Sequence, residues 1–196
     1  RAGKDDLHLR QAPLMAVVNE AAEPHAHRGK AIHFSHDPDA GIELNQPAIL
    51  RKPEIIHGLR NLIQNAVDFS KINVWIECHW TNDVISVRII DDGKGFPPHL
   101  IGRIGDPFVG KRKTPAERKE RPEYEGMGLG LFIAKTLLER SGAELSFANG
   151  LDPYATTPTQ HVHTGAIVEV KWPRDTIDAR RGKNALPIGE NQKNVL

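Results

Sequence analysis

The chain has 196 residues, a formal net charge of +1 and 39% hydrophobic residues, enough for one domain with a full core and too balanced in charge for a nucleic-acid surface. Its one cysteine, Cys78, has no second cysteine for a disulfide or a metal-ligand spacing, so a reducing, cytoplasmic setting is the default. No apolar run approaches the roughly 18 residues of a membrane span, so no direct membrane contact is expected of this segment; the chain opens Arg1-Ala-Gly-Lys4 without Met and reads as a fragment of something longer.

Residues 1–11 read as a linker, and Pro13 opens a helix with Leu14, Val17, Val18, Ala21 and Ala22 on one stripe. Ala31 to Phe34 reads as a short strand, and Pro47 to Pro53 as a turn or helix entry. From Glu54 to Ser70 the set Ile55, Ile56, Leu59, Leu62, Ile63, Ala66 and Phe69 has helical period. Asn73–Trp80 and Val84–Ile90 are rich in β-branched and aromatic residues, and Thr81-Asn82-Asp83 joins them as a hairpin. Residues 96–125 are charged and aperiodic, a length usual for a functional lid. Leu129 to Glu139 is an amphipathic helix closed by Ser141-Gly142. Glu144–Ala148 and Gly165–Trp172 are two more strands, joined by a polar loop, and residues 174–196 read as a loose tail.

Four segments carry chemistry. In Asn61-Leu-Ile-Gln-Asn65 the two asparagines are four apart on one helix face, where their amide oxygens can ligate Mg²⁺ and leave the rest of its octahedron to phosphate and water. Two surface asparagines are the plain alternative. Asp91-Asp-Gly93-Lys-Gly95 ends a strand, expected at the sheet's edge. A buried carboxylate there accepts a hydrogen bond from an exocyclic amine, and the glycines admit a flat ring close to the backbone, which suits adenine and disfavours guanine. An ordinary Asp-Gly turn is the alternative. Asp106-Pro-Phe108 is the third segment. Gly126-Met-Gly128-Leu129-Gly130-Leu131 opens a helix, where free N–H groups and the helix dipole attract phosphate.

Other patterns fail on inspection. Gly105-Asp-Pro-Phe-Val-Gly110-Lys111 fits Gly-x₄-Gly-Lys, but Arg112 follows where a P-loop needs Ser or Thr, and no strand precedes it. The run Lys111-Arg112-Lys113 is a solvated face or, in a lid, reaches phosphates. His25-x-His27 and His161-x-His163 lack partner ligands and read as surface histidines. Cys78 alternates with Ile76 and Trp80, as a packed thiol does.

In this order the four segments resemble the N, G1, F and G2 boxes of the histidine-kinase ATP-binding domain, in the superfamily shared with gyrase, Hsp90 and MutL. The resemblance covers residues 12–173. Ala22-Glu-Pro-His-Ala-His-Arg-Gly-Lys30, Asn65-Ala-Val-Asp-Phe69 and Glu125-Gly-Met-Gly-Leu-Gly-Leu-Phe-Ile-Ala134 look more narrowly like the RegB/PrrB redox-responsive sensor kinases. The resemblance implies an α+β fold, a two-layer sandwich with a mixed, mostly antiparallel sheet of about five strands, three helices on one face and a long ATP lid. It implies ATP and Mg²⁺ as ligands, with Asn65 the chief metal ligand and Asn61 its neighbour. Asp91, Gly93 and Gly95 then meet adenine, Phe108 anchors the lid, and Gly126, Gly128, Leu129, Gly130 and Leu131 line the phosphates, with Lys111, Arg112 and Lys113 above. The partners implied are a dimerisation and phosphoacceptor domain outside this chain and a downstream response regulator, within a homodimeric parent in a bacterial inner membrane.

Three departures from the family's pattern stand out. His8-Leu-Arg-Gln-Ala-Pro13 lacks the acidic residue and the Thr of a phosphoacceptor motif, so the acceptor His lies elsewhere. Asp68 stands where many such kinases carry Lys or Arg, so positive charge must come from the lid or Lys71. The redox-active cysteine of the RegB type has no counterpart, and Cys78 does not inherit its role. A self-contained ATPase of the gyrase or MutL kind would carry a Glu four residues before the metal Asn. That place is Asn61, which cannot act as a general base. A nucleotide-sensing domain without catalysis is the remaining alternative, against which the intact boxes argue.

Overall fold

The computed structural model describes residues 10–38, 46–97, 101–104, 127–150 and 165–182. Among these residues, seven strands and four α-helices succeed one another as β1 (Gln11–Pro13), α1 (Leu14–Ala22), β2 (Ala31–Pro38), β3 (Ala48–Leu50), α2 (Pro53–Phe69), β4 (Asn73–Trp80), β5 (Val84–Asp91), α3 (Met127–Arg140), β6 (Glu144–Asn149), β7 (Ala166–Pro173) and α4 (Arg174–Ile177). Five strands form one sheet in the order β2-β4-β5-β7-β6. Only β2 and β4 run parallel, and the other neighbours are antiparallel.

The sheet is two-faced because its strands alternate. On β4, Val74, Ile76, Cys78 and Trp80 are buried while Asn73, Trp75, Glu77 and His79 are half-exposed. Register sets Ile76 beside Ile89 and Cys78 beside Val87, and Val87 beside Val170, so one apolar face runs across three strands. A helical layer covers that face: α2 packs against α1, α3 and β5, and α3 reaches β6. The opposite face carries a cross-strand ion ladder. There Arg88 lies 3.5 Å from Glu77 and 3.2 Å from Glu169, which lies 3.0 Å from Lys171. The two-layer sandwich expected from the sequence is therefore the fold.

The β4–β5 hairpin turns on Thr81, whose Oγ1 accepts hydrogen bonds from the N–H groups of Asp83 and Val84 at 3.1 and 3.0 Å. Helix α2 begins at Pro53, where the missing N–H costs nothing. Helix α3 ends on Gly142 at φ 92°. Gly58 sits where α2 meets α3, and a Cβ there would lie 2.5 Å from Cγ of Leu138, which is fully buried. Gly58→Ala is expected to destabilise the domain by about 1–3 kcal/mol through overpacking. A lowered urea midpoint at unchanged m-value checks this.

Cys78 is 1% exposed, and burial pushes its thiol up to about 12. Thiolate is the reactive form. The folded chain is therefore expected to resist a thiol-reactive disulfide reagent at pH 8 and to react promptly in urea. Equal rates in both states would contradict this burial.

Four expectations need correction. The segment from Pro47 to Pro53 holds strand β3, which pairs with β1 in a two-stranded ribbon; three-residue strands between prolines are too short to show a period. Pro13 caps α1 and ends β1 rather than opening the helix. The tail expected to be loose from 174 is folded to 182. Arg174, 8% exposed, donates from Nε to Asp178 Oδ2 and from Nη1 to the Thr81 carbonyl, both at 2.8 Å, and Asp178 bridges to Ile49. A buried i,i+4 ion pair holds this turn where apolar periodicity is missing. His25 is not a surface histidine: it is 6% exposed, on a 3-10 turn (Glu23–His25) that packs on α2. Burial first, and then the nearby Arg28 and Arg60, hold its ring below the ordinary value.

Candidate functional site

The α2 helix and the ends of β5 and β7 enclose a cavity of about 390 Å³. Leu62, Asn65, Ala66, Asp68 and Phe69 line it from α2, and Ile89, Asp91, Ala166 and Val168 from the sheet. Lys71, Gly93, Lys94, Gly95 and Phe96 close one side, and Leu131 of α3 another. Most of the wall is apolar, with a few polar groups, which is the composition of a pocket for a flat organic ligand.

Asp91 is the buried charge in this wall, at 3% exposure. It ends β5 but is not at the sheet's edge as its sequence suggests, because β7 returns alongside β5 and makes it the middle strand. Its Oδ1 accepts N–H bonds from Gly93 at 2.7 Å and Ala166 at 3.2 Å. Those bonds anchor the carboxylate through Oδ1, in a residue that lines the cavity. Burial pushes the Asp91 carboxyl above the ordinary value, against the pull of Gly93 and Ala166 N–H, with Asp92 adding to the rise. A carboxylate that is costly to hold ionised gains most from a ligand's N–H. Close packing protects it: a Cβ on Gly165 would collide with Asp91, and one on Gly93 with the Phe69 carbonyl.

Neighbouring side chains hold the loop after β5. Asp92 accepts bonds from the N–H groups of Lys71, Ile72 and Asn73 and from the Asn73 amide at 2.7–3.2 Å. Desolvation lifts its carboxyl, but these four donors outweigh it and hold the group below the ordinary range. Gly95 takes φ 77°, a conformation that favours glycine. Asn149 clamps the next residue, accepting from Phe96 N–H at 2.7 Å and donating to the Phe96 carbonyl at 2.8 Å. Phe96, 5% exposed, stacks edge-on against Phe147. The first residue of the expected lid is thus part of the cavity wall.

On α2, Asn65 donates from Nδ2 to the Asn61 carbonyl at 2.9 Å, which leaves Oδ1 as the amide's neutral acceptor. Gly130 of α3 packs on this amide: a Cβ there would lie 3.2 Å from Nδ2. Oxygen of this kind suits a hard cation. Asn65, Asp91, Gly93, Gly95 and Leu131 therefore line one cavity. Asn61, Leu129 and Gly130 do not line it; Asn61 acts on Asn65 through its carbonyl, and Leu129 is 70% exposed. Gly128 lies in the first turn of α3. Phe108, Lys111, Arg112, Lys113 and Gly126 lie outside the described residues. The sequence alone gave no signal for Asn149 and Gly165, whose partners are remote. Asp68 was visible only as an anomaly, and it pairs with Arg28 at 2.7 Å.

The family described as histidine kinase-, DNA gyrase B-, and HSP90-like ATPase matches residues 51–176. The sensor histidine kinase RegB of Cereibacter sphaeroides is 61% identical over 191 residues, covering 97% of this chain and 41% of that protein. A putative sensor histidine kinase, NtrY-like, of Rickettsia felis is 32% identical over 130 residues, 63% of this chain and 18% of its own length. The chain thus spans less than half the length of these curated relatives. Among solved structures, a mycobacterial sensor histidine kinase MprB superposes with TM-score 0.58 at 20% identity, covering 83% of this chain and 95% of that one.

Proposed function

The chain belongs to the family of histidine kinase-, DNA gyrase B- and HSP90-like ATPases, and from that premise we propose that it is the ATP-binding catalytic domain of a RegB-like sensor kinase. It binds ATP and passes the γ-phosphoryl group to a histidine in a dimerisation domain outside this chain. The observation that carries the reading is Asp91: a buried carboxylate with one oxygen anchored by backbone, on the wall of a largely apolar cavity that also holds the Asn65 amide. That pairing reads adenine at one end and a metal-bound polyphosphate at the other.

Magnesium, when bound, neutralises phosphate charge. Asn65 is its ligand on this reading, and Asn61 orients Asn65. Gly128 and Gly130, in the first turn of α3, bring backbone N–H groups to the phosphates, and Phe108, Lys111, Arg112, Lys113 and Gly126, outside the described residues, are the further nucleotide contacts of this reading. The ATPase alternative lacks its general base, since Asn61 stands at that position. The parent is a homodimeric inner-membrane protein that phosphorylates a response regulator. In this chain, no helix of the described residues is long and apolar enough to cross a membrane.

The test is phosphotransfer from γ-labelled ATP, with this chain supplied alongside a dimerisation domain of the RegB type. Acid-labile, base-stable label on that domain supports the reading. ATP hydrolysis by the chain alone at the same rate, with no labelled acceptor, would instead establish the ATPase.

A further inference from the structure

We propose that Arg28 is the cation that meets the nucleotide's phosphates on the α2 side of the cavity, positioned there by Asp68. The inference rests on the ATP-binding reading and adds a residue to it. Asn65 and Asp68 both line the cavity and, three apart, share a face of α2. A bare carboxylate one turn from the group assigned to metal and phosphate would repel a polyanion. That carboxylate is not bare, because Arg28 Nη2 lies 2.7 Å from its Oδ1.

Arg28 comes from a separate part of the chain, between the 3-10 turn and β2. Its backbone is tied to the end of α2 by the next side chain but one. Lys30 Nζ donates to the carbonyls of Ser70 and Lys71 at 2.8 and 2.6 Å. The guanidinium is therefore delivered to Asp68 by an anchored turn.

Asp68 lines the cavity, Arg28 reaches it from outside that wall, and both side chains stay partly exposed, at 35% and 44%. A guanidinium presents five N–H donors in a planar fork, and its Nη2 lies 2.7 Å from Asp68 Oδ1. The rest of the fork fits a second oxyanion, and phosphate is the one the site expects. An exposed ion pair by itself contributes little to stability. A purely structural pair therefore predicts a nearly silent variant, and a phosphate contact predicts a loss confined to phosphate-bearing ligands.

NMR titration of the whole chain with Mg-ATP and, separately, with adenosine distinguishes these. Arg28→Ala is expected to weaken ATP about 10-fold or more and to leave adenosine within about 2-fold. Adding Asp68→Lys to Arg28→Ala places the cation on α2 itself and is expected to restore most of the ATP affinity. Unchanged ATP affinity in Arg28→Ala overturns the proposal, as does an equal loss of ATP and adenosine, or failure of Asp68→Lys to restore binding. A wild-type chain that binds neither ligand overturns the ATP-binding reading and this inference with it.

Discussion

Asp91→Asn is expected to lower ATP affinity by about 100-fold while leaving the fold intact. The substitution keeps shape. An Asn oxygen can still accept from Gly93 and Ala166, whose N–H groups now meet Asp91 Oδ1. What changes is the other atom of the carboxylate, where an acceptor becomes an NH₂ donor. Against the exocyclic amine of adenine, donor meets donor. Loss of the charge spares the fold. The folded-state pKa of Asp91 is raised, so holding it ionised at neutral pH opposes folding, and stability from this group grows as pH falls through the folded value. Removing the charge removes that penalty, so the variant is expected to melt no lower than wild type. For the same reason adenosine affinity of the wild type is expected to fall on acidification, beginning above the ordinary Asp range. Calorimetry with ATP, GTP and adenosine reads the outcome. Wild-type ATP affinity in a folded Asp91→Asn chain, or GTP binding as tight as ATP in the wild type, would refute the adenine assignment.

Much of this site is legible locally. Asn61 and Asn65 stand out as two asparagines four apart on one face of an amphipathic helix, and Asp91-x-Gly93-x-Gly95 because glycines crowd the end of a strand. Helices α1, α2 and α3 follow from the 3.6-residue period, and β4, β5 and β7 from β-branched runs. What is hidden depends on remote partners. Asn149 clamps Phe96 across 53 residues, and Ala166 N–H reaches Asp91 across 75. No spacing rule links such positions, since only the pairing of β5 with β7 and β6 with β7 brings them together. The β1–β3 ribbon was hidden for want of length, and the Arg174–Asp178 turn because a buried ion pair looks like a polar tail in sequence. His25 shows the same failure in reverse, as a titratable residue read as surface that a single 3-10 turn folds under.

Asn65→Asp is expected to cut phosphoryl transfer by about 100-fold or more, near 2.7 kcal/mol of barrier, while adenosine binding stays at wild-type level. The site's geometry gives two reasons. Asn65 Nδ2 donates to the Asn61 carbonyl at 2.9 Å. A carboxylate has no such donor and would set oxygen against oxygen, so the side chain must rotate away from its present anchor. It also adds a negative charge beside a polyphosphate, where positioning and charge neutralisation are most of what a protein contributes. The neighbouring α3 backbone offers little room for readjustment, since Gly130 packs on the Asn65 amide. Asn61→Ala provides the contrast. It removes a side chain that does not line the cavity but keeps the carbonyl that anchors Asn65. Its effect is therefore expected to be far smaller, within about 10-fold. The measurement is initial-rate transfer from labelled ATP to a dimerisation domain at saturating nucleotide, with adenosine affinity measured in parallel. Wild-type transfer by both Asn65→Asp and Asn65→Ala would remove Asn65 from the metal site. A loss in Asn61→Ala as large as in Asn65→Asp would show that the Asn61 side chain, and not only its carbonyl, takes part.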